Sequence, residues 1–81
     1  MRIIQVGRKY RHFKGNDYYT IAIAKHSETG ELYVVYKALY GKQETYVRPY
    51  EMFASKVDKE KYPQVKQEYR FELVDDEKLE R

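Results

Sequence analysis

The sequence predicts a small, mainly β domain, and three observations carry that prediction. The chain has 81 residues, too few to build two independent cores. It holds ten tyrosines and three phenylalanines but no tryptophan or cysteine, so packing of β-favouring aromatic residues has to supply the stability that disulfides or thiolate metal sites would otherwise provide. Its apolar residues recur at a period of two in several short runs separated by turn residues, as half-buried strands require.

The first short strand is expected at Lys9–Phe13. The longest strand signal is Tyr18–His26, in which Tyr19, Ile21 and Ile23 fall on one face and are expected to point into the core. Ser27-Glu28-Thr29-Gly30-Glu31 is turn chemistry, with Gly30 free to take a positive φ. The return strand, Leu32–Tyr40, is apolar or aromatic on both faces and suits an interior position. Gly41-Lys42 turns the chain into Glu44–Arg48, which Pro49 must end because proline cannot donate to a ladder.

Tyr50–Ala54 then reads as one helical turn with Met52 and Phe53 as plugs. Residues 57–67 are polar, are interrupted by Pro63 and read as an excursion. Tyr69–Val74 alternates again as a closing strand. This order matches a small SH3-like five-stranded barrel, residues 6–74, with one short helical turn before the last strand and a charged tail at 75–81. The alternative is an open α+β sheet with 57–67 as a packed helix.

The segments Gly7-Arg8-Lys9-Tyr10-Arg11-His12-Phe13-Lys14-Gly15, Ala24-Lys25-His26-Ser27-Glu28-Thr29, Val34-Val35-Tyr36, Leu39-Tyr40-Gly41, and Val47-Arg48-Pro49 with Met52-Phe53 together resemble the short bacterial proteins of domain-of-unknown-function family 1653. The resemblance runs from about Gly7 to Phe71 and implies a small β-barrel with no assigned activity. The chain departs from the family pattern at Tyr46, where tryptophan is common, and at Tyr50, where an aliphatic residue is common.

The formal net charge is +3, too mild for a strand-tracking nucleic-acid binder as a whole. The excess sits at the front: Arg2, Arg8, Lys9, Arg11 and Lys14 precede the first acid, Asp17. No signal-peptide core or membrane-crossing run is visible, so a cytoplasmic protein with no membrane partner is expected.

His26-Ser27-Glu28 invites a nucleophile reading, a small hydrolase or transferase with Arg48 stabilising an anion, but neighbouring residues of a strand face opposite ways. The plain reading is that Ser27 and Thr29 cap the turn while Glu28 and Glu31 sit in water. Two histidines, His12 and His26, with scattered carboxylates are a poor metal set, and the four glycines lie too far apart for a phosphate loop. No catalytic residue, metal or cofactor is therefore expected.

The remaining constellation is basic and aromatic. It consists of Tyr10, Arg11, His12 and Lys14 on the first strand, Tyr36 and Tyr40 on the central strand, and Tyr46 and Arg48 on the third; of these Tyr10, Arg11, His12, Tyr36, Tyr46 and Arg48, with His26 and Glu28 at the hairpin, are the candidate binding residues. Rings beside guanidinium groups suit a nucleic acid, a nucleotide or an anionic peptide. Equally, half of these tyrosines can serve only to cover the core, or exposed ones can pack on a protein partner. The favoured expectation is a non-enzymatic binding module.

Overall fold

The computed structural model describes residues 2–74; the expected tail at 75–81 lies outside the described residues. Five strands and one helical turn follow in the order β1 (Lys9–His12), β2 (Asp17–Lys25), β3 (Leu32–Ala38), β4 (Thr45–Pro49), α1 (Tyr50–Phe53) and β5 (Phe71–Leu73). All pairings are antiparallel, and the sheet order is β4-β3-β2-β1-β5. The last strand returns to the first, with His12 opposite Phe71 and Tyr10 opposite Leu73.

The sheet is strongly coiled. With strands about 4.8 Å apart, a flat sheet would hold β4 and β5 some ~19 Å from each other. Yet the Arg48 guanidinium carbon on β4 lies 5.5 Å from the Phe71 ring centroid on β5, and Tyr36 on β3 is 5.7 Å from the same ring. No backbone ladder between β4 and β5 is present among the described residues, so the sheet is not closed and the expected barrel stops one pairing short.

Inside the coil, Tyr10, Val34, Tyr36, Tyr50, Phe53 and Phe71 form the buried cluster together with Ile4 from the N-terminal segment. Phe53 and Phe71 stack at 4.0 Å with planes 7° apart, and Tyr10 and Tyr36 meet Phe53 edge-on at 5.6 and 5.1 Å. Edge-to-face contacts pair the positive rim of one ring with the negative face of another, adding to the burial of each ring.

The expectation that Tyr19, Ile21 and Ile23 share the core face is corrected. A β-bulge falls between Thr20 and Ala22: Thr20 pairs with Tyr36, while Ala22 pairs with Val35. One extra residue reverses the alternation. Tyr19 and Ile21 are therefore exposed, Thr20 is fully buried, and only Ile23 packs on the core.

Thr20 earns its burial with hydrogen bonds. Its hydroxyl donates to the Gln5 carbonyl at 2.7 Å and accepts from the Arg8 amide at 3.1 Å, and its backbone exchanges bonds with Gly7 and Arg8. Thr20→Val keeps the shape but strips two backbone groups of their partner. We expect a loss of about 1–3 kcal/mol in a denaturant titration, with faster amide exchange at Arg8; unchanged exchange there would show that the hydroxyl does not hold the N-terminal segment.

Pro49 ends β4 and stands as the N-cap of α1. Tyr50 and Phe53, three residues apart, share the buried side of the single turn. Met52 is off that side and 47% exposed, so Phe53 alone acts as the plug expected of the pair. The Tyr50 hydroxyl accepts from the Ile4 amide at 2.7 Å and donates to the Arg2 carbonyl at 3.0 Å, which clamps the N-terminal segment over α1.

Residues 57–67 form a looped excursion of turns rather than a helix. Its neck is closed by the Val57 amide on the Glu68 carbonyl at 2.9 Å and by a bridge between Lys56 and Tyr69. Among the described residues, no helix is long and apolar enough to cross a membrane.

Candidate anion-binding cleft

The coil brings four separate pieces of chain around one cleft of about 300 Å³, lined by His12, Phe13, Lys14, Arg48, Asp58, Lys61, Tyr62 and Arg70. The turn after β1 supplies Phe13 and Lys14, the inner face of β4 supplies Arg48, the excursion supplies Asp58 to Tyr62, and the residue before β5 supplies Arg70. Phe13 and Tyr62 lie 4.9 Å apart, and the Lys14 ammonium sits 5.8 Å from the Tyr62 ring. These contacts hold the excursion against the β1–β2 turn.

Four cations thus face one acid among the described lining residues. None of Lys14, Arg48, Lys61 and Arg70 makes an ion pair among the described residues. Arg48 is braced from behind, its Nε donating to the Tyr36 hydroxyl at 3.1 Å. The Arg70 Nε is buried with no hydrogen-bond partner among the described residues. Asp58 is tied up locally, its Oδ1 accepting from the Glu60 amide at 3.1 Å in a turn.

His12 reports on the field of the cleft. Its pKa is lowered from 6.5 to about 4, first by burial and then by the charges of Arg48, Lys14 and Arg70. Its Nδ1 accepts from the Lys14 amide at 3.1 Å, so the neutral ring carries its proton on Nε2. A folded-state pKa below the unfolded one means that the unfolded chain binds the proton first. Stability is therefore expected to fall as pH drops from about 6.5 towards 4. Asp17 adds a separate loss at lower pH, since its hydrogen bond from Arg11 holds its pKa below the ordinary value. Denaturant midpoints measured across this range check the first limb, which His12→Gln should flatten; an unaltered slope in that variant would overturn the assignment.

The candidate residues named from sequence part into four groups. His12 and Arg48 line the cleft, with Tyr36 behind Arg48 and Tyr46 5.8 Å from Tyr36. Tyr10 is a core residue, 2% exposed, whose hydroxyl accepts from the Gln5 amide. Arg11 alternates to the other face of β1, where it grips Asp17 through two bonds of 2.7 and 3.1 Å.

His26 and Glu28 stand on the β2–β3 hairpin, at the far end of β2 from the β1–β2 turn. The His26 Nδ1 accepts from the Glu28 and Thr29 amides at 3.1 and 3.3 Å, so this ring serves as the turn's cap. Gly30 has the expected positive φ of 77°. Among the described residues, no three His, Asp or Glu side chains gather as metal ligands would.

Lys61, Tyr62 and Arg70 were not among the candidates, and Lys14 stood only in the wider basic and aromatic constellation. Lys61 and Tyr62 lie in a charged stretch that reads as solvated surface, and Arg70 alternates with Tyr69 and Phe71. Only the coil of the sheet and the path of the excursion bring them together.

Searches for relatives agree with this architecture. No curated protein matches the chain. A crystal structure of a DUF1653 protein from Bordetella bronchiseptica is similar to it, with a TM-score of 0.71 and 30% identity over 88% of this chain and 87% of that one. The family model described as protein of unknown function (DUF1653) matches residues 8–73, nearly the whole of the described fold, and the chain belongs to that family.

Proposed function

We propose that the chain is a non-catalytic binding module that holds a compact, phosphate-bearing anion in the cleft between β4, the β1–β2 turn and the 57–67 excursion. The observation that carries this reading is the convergence of Lys14, Arg48, Lys61 and Arg70 on one depression without ion-pair partners among the described residues. Like charges gathered in this way repel one another, and a multiply charged anion turns that repulsion into attraction. Arg48 and Arg70 offer planar donor forks suited to phosphate oxygens, and the neutral His12 leaves an N–H donor among them.

The grouping is compact rather than a stripe along the molecule, which favours a small polyanion over a tracked strand. In this reading, residues 6–74 act as one unit, an SH3-like barrel left open between β4 and β5. The opening admits the Arg48 side chain to the cleft. A cytoplasmic setting, where phosphate compounds abound, suits it.

The test is a titration of the full chain with inorganic phosphate and with pyrophosphate at constant ionic strength, followed by amide NMR. Saturable shifts are expected at Lys14, Arg48, Tyr62 and Arg70, with pyrophosphate binding more tightly. The His12 pKa should rise as the anion offsets the neighbouring cations. Shifts that sodium chloride reproduces would overturn the proposal, because they would reflect screening alone.

A further inference from the structure

Beside the cleft, on the same concave face, lies a second depression of about 180 Å³ lined by Ala38, Tyr40, Gly41, Lys42, Gln43, Glu44 and Tyr46. We infer that it is a base subsite, and that the ligand of the cleft is a mononucleotide whose phosphate sits among Arg48, Lys14 and Arg70 while its base stacks on Tyr40 and Tyr46. This inference rests on the anion-binding reading of the cleft.

Three observations join the depressions into one site. Tyr46 and Arg48 are two residues apart on β4 and so share its inner face, with their Cα atoms about 7 Å apart along the strand. Tyr36 contacts both, bonding Arg48 through its hydroxyl and meeting the Tyr46 ring at 5.8 Å. Tyr18 does the same on the other side: its ring lies 6.5 Å from His12 in the cleft, and its hydroxyl bonds that of Tyr40 at 2.7 Å. Tyr18 and Tyr36 thus form a chain of contacts that touches residues of both the cationic cleft and the second depression.

The rings at its end remain available. Tyr40 and Tyr46 are 43% and 41% exposed, although the core has taken Tyr10, Tyr36 and Tyr50 almost completely. Their positions are held by the Tyr18–Tyr40 bond and by a 3.3 Å bond from the Tyr46 hydroxyl to Glu44. Burial and the Tyr40 hydrogen bond push the Tyr18 phenol well above its usual pKa. Pre-positioned aromatic faces next to a phosphate cradle match a ligand with a planar ring one sugar away from its phosphate. A phosphoserine or phosphothreonine would place a flexible chain, not a ring, at that spot. Glu44 and Lys42, at the rim, are placed to bond the edge of the base.

Calorimetric and NMR titrations of the full chain with inorganic phosphate, ribose 5-phosphate, AMP, CMP and a short single-stranded oligonucleotide test this. A mononucleotide is expected to bind at least about tenfold more tightly than ribose 5-phosphate, with amide shifts at both Arg48 and Gly41. Tyr46→Leu and Tyr40→Leu should each erase that advantage while leaving phosphate affinity as it was, and Tyr46→Phe should keep it. Equal binding of ribose 5-phosphate and AMP would overturn the base subsite and leave the anion cleft standing. Affinity that climbs with oligonucleotide length and falls steeply with salt would overturn the mononucleotide in favour of a strand. If phosphate itself does not bind, both readings fall together.

Discussion

Phe71→Ala is expected to remove about 3–5 kcal/mol of stability, enough to leave much of the chain unfolded at 37 °C, because domains of this kind hold only about 5–15 kcal/mol in total. Phe71 is 1% exposed and is the one ring on which all sides of the coil meet. It stacks on Phe53 from α1, receives His12 of β1 edge-on at 4.9 Å, and touches Tyr18 of β2 and Tyr36 of β3 at 5.6 and 5.7 Å. The Arg48 guanidinium of β4 covers it at 5.5 Å.

Truncation would leave a void bounded by five separate elements, none of which can shift to fill it without uncoupling from its own neighbours. Phe71→Leu, which retains part of the volume, should fold with a smaller loss. Denaturant midpoints of the two variants check the order. An alanine variant within about 1 kcal/mol of the parent would mean that the ring cluster does not hold the coil together.

The strand count, the hairpin at 27–31 and the helical turn after Pro49 were all legible, because each depends on local alternation or on residues with restricted backbone freedom. Two features were less so. The bulge at Thr20 left no composition signal, since threonine and isoleucine suit a strand equally and only the pairing partner tells which face each occupies. A strict period of two therefore put Tyr19 and Ile21 inside. The cleft was half hidden for a related reason: its cations come from positions 14, 48, 61 and 70, and Lys61 and Arg70 are unremarkable in their own segments.

What the sequence did expose was half of the site. Tyr46 and Arg48 on one face beside Tyr36 followed from alternation alone. Applied with equal care to β1, the same rule separates Tyr10 and His12 from Arg11. The front-loaded positive charge was informative only in part: Lys14 reaches the cleft, but Arg11 is spent on Asp17, Arg8 bonds Gln5 at 2.9 Å, and Arg2 lies over Tyr69 at 4.0 Å while bonding the Ala54 and Phe71 carbonyls. A cation's place in the sequence says little about whether its charge is free in the fold.

The largest functional effect is expected from the charges of the cleft. Arg48→Gln with Arg70→Gln should weaken pyrophosphate binding by at least about a hundredfold, since each charge-assisted contact contributes about 1.5–3 kcal/mol. Arg48 also bonds Tyr36 and covers Phe71, so a loss of binding in this double variant has a structural explanation to exclude. Lys14→Gln with Lys61→Gln provides the independent arm: neither ammonium makes a hydrogen bond or ion pair among the described residues. Lys14 loses only contacts with the Phe13 and Tyr62 rings and Lys61 only one with Tyr62, so the stability of the fold should fall by less than in the arginine pair. Binding should weaken several-fold and its salt dependence should become shallower. Asp58→Asn should act in the opposite direction, because asparagine preserves the Oδ1 acceptor of the turn while removing the acid that opposes the cations. Tighter pyrophosphate binding in that variant, together with weaker binding in the lysine pair, is a pattern that general destabilisation cannot produce, whereas unchanged affinity in both would show that the cleft's charge does not select its ligand.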